Sequence, residues 1–253
     1  MKAMITAASE CGAPVILMSS AATIKFLGLK EIVYAFKSFA EDAVVPCVLH
    51  LDHGKDIELI KKAIDAGYTS VMIDASTKPF EENVELTRRV VEAAKKRGVS
   101  VEAELGTVAG REEDVVGDRA EYADPEKVLE FVERTQIDAL APSIGTAHGF
   151  YMQKPDIRFG LIEEIKRRTN APLVMHGGTG LSEAEFKRAV ECGISKINVG
   201  TEIKHAFSNT LRRVAGENAA GAHPHDYMSA VYNEIKGIVR GKMKIFGCEN
   251  KYR

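Results

Sequence analysis

The stretch Val45-Pro-Cys-Val-Leu-His-Leu-Asp-His-Gly54 decides how the chain is read. A continuous Val/Leu run bounded by a glycine has the pattern of a strand buried on both faces, as in a parallel sheet. Asp52 and His53 then fall at its C-terminal mouth, where Gly54 lets the chain turn away. A carboxylate beside a candidate metal ligand at a strand end is the raw material of a proton-transfer site.

Working outward, further apolar strands are predicted to end at Ser20, Ser76, Gly106, Gly145, Gly178 and Thr201, which with His53 makes seven. Amphipathic helices are predicted between them over 27–43, 56–66, 81–97, 125–135, 159–169 and 182–192, with another at 1–11 and a largely helical tail from Thr201. Asp124 before Pro125 reads as an N-cap and first-turn pair, and Ser182 with Glu185 as a capping box. The segment Thr107–Asp124 is too long for an ordinary βα connection of ~2–6 residues and reads as a functional loop. Strands alternating with helices give an α/β fold with a parallel sheet. Seven strands also fit a doubly wound open sheet, which gathers ligands at one crevice. Polar or glycine-rich ends after nearly every strand favour a TIM (β/α)8-type barrel instead. Seven barrel strands are readable, so the N-terminal first strand is missing from this pattern.

Composition narrows the function classes. At 253 residues with 45% hydrophobic content, the chain fits one barrel domain, here 1–253 with a helical C-terminal tail. A net charge of −2 gives no electrostatic reason to expect nucleic acid or a membrane surface as partner. No apolar run approaches the ~18 residues of a membrane span. The four cysteines, Cys11, Cys47, Cys192 and Cys248, form no C-x-x-C pair, which points to a reducing, cytoplasmic setting.

Three histidines end three different strands, His53, His148 and His176, and each is followed by a glycine. Imidazoles from separate strands meeting at one mouth make a three-nitrogen zinc site with an open position. His50 lies inside its strand on the parity of Asp52 and reads as filling or support. Gly177-Gly-Thr-Gly180 before a helix, and Asn198-Val-Gly-Thr201 before another, are candidate phosphate loops after the last two strands. Asp52, Asp74, Glu104 and Glu112 are the carboxylates at strand ends or in the long segment. Glu102 shares the parity of Glu104, so alternation alone cannot choose between them.

HLDHG at 50–54, MIDAS at 72–76, VEAELGTVAG at 101–110, GTAHG at 145–149, MHGGTG at 175–180 and NVGTE at 198–202 occur in this order. Together they resemble the class II, zinc-dependent fructose-bisphosphate and tagatose-bisphosphate aldolases, over essentially the whole chain. The resemblance implies reversible cleavage of a ketose 1,6-bisphosphate, or a related phosphorylated ketose, into dihydroxyacetone phosphate and an aldehyde such as glyceraldehyde 3-phosphate. It implies His53, His148 and His176 as ligands of a catalytic Zn2+, and Asp52 as the acid exchanging a proton with the C4 oxygen. Asp74 and Glu104 match a second metal position, and Glu112 a carboxylate moving a proton at C3. Gly149, Gly177, Gly178, Thr179, Asn198 and Thr201 match the residues holding dihydroxyacetone phosphate. Some members also use a second divalent metal and a monovalent cation, Na+ or K+, on backbone oxygens near Gly149 and Gly177. A phosphorylated ketose is then the substrate, and a homodimer or homotetramer the expected assembly.

Family members begin with a further strand upstream of the point matched by Met1, in agreement with the count of seven. A barrel without it exposes two strand edges, so the chain is expected to be less stable than an upstream-extended version. Two rival readings are weighed. One is a catalytically impaired barrel kept as a partner or assembly subunit, supported only by the missing strand. The other is a zinc-dependent hydrolase, against which the phosphate loops count. A class I aldolase would need a Schiff-base lysine at a strand end. The strand lysine in view is Lys196, expected at a strand entrance on the face away from the site.

Overall fold

The computed structural model describes residues 1–112, 115–117, 121–149, 155–217 and 223–252, with the backbone alone at 109–112, 115–117 and 148. The chain opens with α1 (Lys2–Cys11), β1 (Val15–Ser19), α2 (Ala21–Leu27), α3 (Leu29–Ala40) and β2 (Cys47–Gly54). Next come α4 (Ile57–Ala66), β3 (Ser70–Ile73), α5 (Phe80–Lys95), β4 (Ser100–Leu105), β5 (Ala109–Glu112) and β6 (Val115–Gly117). Then follow α6 (Pro125–Thr135), β7 (Ala139–Pro142), β8 (Ala147–His148), α7 (Phe159–Arg168), β9 (Leu173–Met175), α8 (Glu183–Glu191) and β10 (Ile194–Ile197). Two helices close the described chain, α9 (Thr201–Glu217) and α10 (Pro224–Ile245).

All seven expected strands are present, as one sheet in the order β1-β2-β3-β4-β7-β9-β10. The pairings from β2 through β4 to β7, β9 and β10 are parallel, as βα alternation requires. Sequence order is therefore spatial order, and the C-terminal ends of these strands lie on the same side of the sheet. Part of the long segment after β4 is strand where a loop was expected. β5 pairs antiparallel with β6 and parallel with β8 in a small second sheet, and Thr107 bridges Glu121 through both backbone hydrogen bonds. A second departure is α2, which the sequence reading passed over. Ser20 caps it by accepting from the Thr23 N–H, and Gly28 separates it from α3, so the helix expected from Leu27 starts after a break.

The caps read from sequence hold. Asp124 accepts from the Glu126 N–H with Pro125 in the first turn, and Ser182 and Glu185 form a reciprocal capping box. Each such cap is worth ~1 kcal/mol against alanine.

The chain divides into two compact units, one of 1–17, 36–47 and 199–253, the other of 18–35 and 48–198. In the first, Ala7, Ala8, Cys11, Ala13, Val45, Val239 and Met243 form an apolar cluster between α1 and α10. Small alanines on α1 let the backbone of α10 approach closely. In the second, the strands bury aliphatic side chains such as Leu49, Leu51, Val71, Ile73, Leu140 and Leu173, against helix residues such as Ile60, Val84, Phe131 and Ile162. That packing fixes the strand ends, and the site is built on them. Among the described residues, no helix is long and apolar enough to cross a membrane.

Candidate metal centre and active site

On a regular strand, neighbouring side chains point to opposite faces. Asp52 and His53 should therefore diverge, yet both reach the same site. His53 adopts a left-handed backbone, φ 47°, and the pairing of β2 with β3 slips between Leu51 and Gly54. A non-glycine residue in that region is uncommon and costs of order 1–3 kcal/mol, so the packing around it must enforce it. The positive φ falls on His53, while Gly54, expected as the turning residue, is needed for space. A Cβ there would stand 2.6 Å from the Met72 carbonyl oxygen and 2.8 Å from Ile60 Cγ1.

The kink brings two imidazoles together. His53 Nε2 lies 2.9 Å from His176 Nδ1, and the rings meet edge to face. His53 Nδ1 is 2.9 Å from Asp74 Oδ2, and Ser76 donates its backbone N–H and its hydroxyl to Asp74 Oδ1. His176 Nε2 lies 2.8 Å from Glu102 Oε1, and Lys196 Nζ donates to Glu102 Oε2 at 2.6 Å. Lys196 Nζ also lies 3.5 Å from His50 Nε2, whose Nδ1 bonds Ser70 Oγ at 2.8 Å. Asn198 donates to Asp52 Oδ1 at 3.1 Å; its 3.4 Å approach to His176 Nε2 is the weaker of the two.

Electrostatics agree with this connectivity. Burial pushes His50 down to about 4, with the nearby Lys196 cation adding to it, so His50 is neutral. Burial also keeps His176 below its ordinary value, despite its bond to Glu102. Burial disfavours a charged His53, but the Asp74 bond and the Asp52 charge win and raise it to about 9. Asp52 and Asp74 are both held below the usual carboxylate range against the cost of burial, Asp52 by His53 and His176, Asp74 by its His53 bond. Glu102 is held well below that range by Lys196 and His176. Glu104 goes the other way, up to about 8, because burial and the Asp74 charge both favour its neutral form. A doubly protonated His53 can donate to Asp74 and to His176 at once, which is what the two 2.9 Å distances require.

Among the described residues, two sets of side chains are close enough to share an ion. Asp52, His53 and His176 offer ligand atoms within 4.8 Å of one another, and so do His53, Asp74 and Glu104. Glu104 Oε2 is buried with no hydrogen-bond partner among the described residues, an orphaned acceptor of the kind a cation satisfies. The donor set of imidazole and carboxylate suits zinc.

Other expected residues are placed as follows. Gly177 has φ 70°, and a Cβ there would collide with the Ala147 carbonyl, so the turn after β9 admits glycine alone. Gly178 packs beside the Phe186 ring and Thr179 is buried. Gly149 follows β8 with φ 81°. Thr201 begins α9 in the other compact unit. The side chains of His148 and Glu112 lie outside the described residues. Their backbones belong to β8 and β5, so Glu112 stands on a strand where a loop was expected.

Two residues were missed. Lys196 was read as facing away, yet its ammonium enters the site and pairs with Glu102, which alternation had left undecided. The signal existed, since Lys196 stands two residues before Asn198 and so shares its face.

Comparison with known proteins agrees with this geometry. The family model for class-II fructose-bisphosphate aldolase matches residues 1–251. Fructose-bisphosphate aldolases of Geobacillus stearothermophilus and Staphylococcus epidermidis are 47% and 46% identical over 253 residues, covering 99% of this chain and 88% of each relative. The crystal structure of the YdjI aldolase from Escherichia coli K12 superposes with a TM-score of 0.85 at 33% identity, over 100% of this chain and 88% of that one. The chain belongs to the class-II fructose-bisphosphate aldolase family and is a class II aldolase, a carbon–carbon lyase.

Proposed function

We propose that this aldolase reversibly cleaves a ketose 1,6-bisphosphate, fructose or tagatose bisphosphate or a related phosphorylated ketose, to dihydroxyacetone phosphate and glyceraldehyde 3-phosphate. The observation that carries the reading is the pair of facing imidazole nitrogens of His53 and His176, 2.9 Å apart, with the Asp52 carboxylate beside them. His53, His148 and His176 are the ligands of a catalytic Zn2+. Bound there, zinc supplies Lewis-acid stabilisation of the negative charge that carbon–carbon cleavage leaves on the substrate.

The remaining work belongs to side chains. Asp52 is ionised at neutral pH and takes the C4 hydroxyl proton, with its carboxylate oriented by Asn198. Glu112 moves the proton at C3. Gly149, Gly177, Gly178, Thr179, Asn198 and Thr201 hold the phosphate end, a reading supported by the glycine-only turn at Gly177 directly after His176. Asp74 and Glu104 serve a second divalent metal, which the orphaned Glu104 oxygen supports. A monovalent cation, Na+ or K+, sits on backbone oxygens near Gly149 and Gly177. The family match over residues 1–251 supports treating the chain as one aldolase domain, and the assembly we propose is a homodimer or homotetramer in the cytoplasm.

The test is a coupled assay of triose phosphate release from fructose and from tagatose 1,6-bisphosphate, with and without chelator. Release from either substrate that a chelator abolishes and zinc restores is the expected result. Release that survives chelation sinks the metal mechanism, and no release from either bisphosphate sinks the substrate class.

A further inference from the structure

We infer that Glu102 and Lys196 act together as a positioning device that fixes His176 in the Nε2–H tautomer, leaving Nδ1 to face the metal. The inference rests on the proposed role of His176 as a zinc ligand. Its physical basis lies in three elements that meet inside the second unit. Glu102 comes from β4, Lys196 from β10, and His176 directly follows β9.

A neutral imidazole carries one N–H, and whichever nitrogen holds it is lost as a ligand. Glu102 takes the Lys196 ammonium on its second oxygen, which is carboxylate pairing, so its first oxygen accepts and the 2.8 Å contact places the proton on His176 Nε2. That leaves Nδ1 as the nitrogen with a lone pair, and Nδ1 is the one facing His53 Nε2. The carboxylate–histidine arrangement also raises the basicity of the ligating nitrogen.

Glu102 could not do this alone. It is 3% exposed, and an unpaired carboxylate so buried would tend to take up a proton and become a donor itself. Lys196 prevents that by bonding its second oxygen at 2.6 Å, so both carboxylate oxygens are engaged, Oε1 by His176 and Oε2 by Lys196. His50 completes the support. It is neutral, bonded through Nδ1 to Ser70, and presents Nε2 to the Lys196 ammonium at 3.5 Å. Among the described residues, Glu102 belongs to neither set of side chains able to share an ion with His53, so it acts through His176, and Lys196 acts through Glu102.

The experiment uses the full chain, wild type and the variants E102Q, K196Q and E102Q/K196Q, with two readouts. Nitrogen-15 NMR of the metal-free protein reports the His176 tautomer directly. Competition with a chromogenic chelator, and the visible spectrum of the Co2+-loaded protein, report the metal. The expected wild-type signature is Nε2–H. E102Q, whose amide can donate or accept, gives a mixed tautomer, metal affinity lower by about 10- to 100-fold and an altered Co2+ spectrum. K196Q moves affinity in the same direction by less, and adds nothing once Gln stands at 102, because the two act as one unit. A wild-type His176 protonated on Nδ1 overturns the inference even if no variant folds. So does an E102Q protein that folds and binds metal within twofold of wild type. Failure of the zinc reading looks different: wild type then shows the Nε2–H tautomer, yet H176A leaves its metal binding unchanged.

Discussion

Glu102 and Glu104 stand two residues apart on one face of β4 and are held in opposite charge states at neutral pH. Glu102 faces Lys196 and His176 and stays a carboxylate, while Glu104 faces Asp74 and is pushed up to about 8. One strand thus delivers a fixed negative charge to one imidazole and a protonated, half-satisfied acid to the other side of the site. The neutral acid is the form expected of a ligand waiting for a cation, since ion binding would displace its proton.

Glu104 is raised in the folded state, so the native protein holds its proton longer than the unfolded chain, and stability falls as pH rises from about 4.5 to about 8. His53 is raised to about 9, so its contribution is complete below about 6.5 and is lost as pH climbs through 9. The lowered His50 and His176 act with the opposite sign up to about 6.5, so the chelated protein should lose thermal stability between about pH 6.5 and 9. E104Q should flatten the lower part of that slope and leave the upper part. A metal-free Tm that rises across this range would contradict both assignments.

Asp52→Asn keeps the shape of the side chain and an oxygen to accept from Asn198, but removes the base. Cleavage should drop by roughly 10²- to 10⁴-fold, the usual worth of a positioned proton acceptor. Zinc content, measured by atomic absorption, should stay near that of wild type. Loss of both together would make Asp52 a metal-binding group first.

Metal removal has its own signature. H53A, H148A and H176A should each lose bound zinc and activity, and added zinc should not restore either. In the wild type, zinc binding at pH 7 should release protons, because His53 is protonated before the metal arrives. Calorimetry in buffers of different ionisation enthalpy measures that release, and no buffer dependence would argue against a charged His53.

Glycines divide into two classes that a paired substitution separates. Gly177→Ala must move the backbone away from the Ala147 carbonyl, so KM for the bisphosphate should rise and stability should fall. Gly237 lies exposed inside α10 with nothing near its would-be Cβ, so Gly237→Ala should stabilise by about 0.5–1 kcal/mol and leave KM unchanged. Thermal melts beside steady-state kinetics distinguish the two.

The strand count, most helices and their caps were legible because hydrophobic period, glycine stops and Asp or Ser caps are local signals. So was the convergence of His53 and His176, since strand ends in a parallel sheet must gather on one side. Three things were not. The contact of Asp52 and His53 with one site depends on a left-handed residue, and alternation predicts the opposite. The division of labour between Glu102 and Glu104 depends on which side chains arrive at the ends of β3, β9 and β10, and His176 and Lys196 lie 74 and 94 positions from Glu102. Lys196 was misjudged because a lysine near a strand start reads as solvated, whereas here a buried carboxylate compensates its charge. Glu112 was expected in a loop, and the β5–β6 pairing that places it on a strand has no alternating apolar signature.

The left-handed turn at His53 has a consequence for inheritance. It folds two sequence neighbours into one site, so the Asp52 carboxylate and the His53 imidazole that meet there occupy adjacent codons. They pass through any recombination as a unit, while Glu102, His176 and Lys196 must be matched to them from separate stretches of the gene. A chimera that keeps the Leu51–Gly54 stretch carries acid and ligand together, and what it can lose is the company they need.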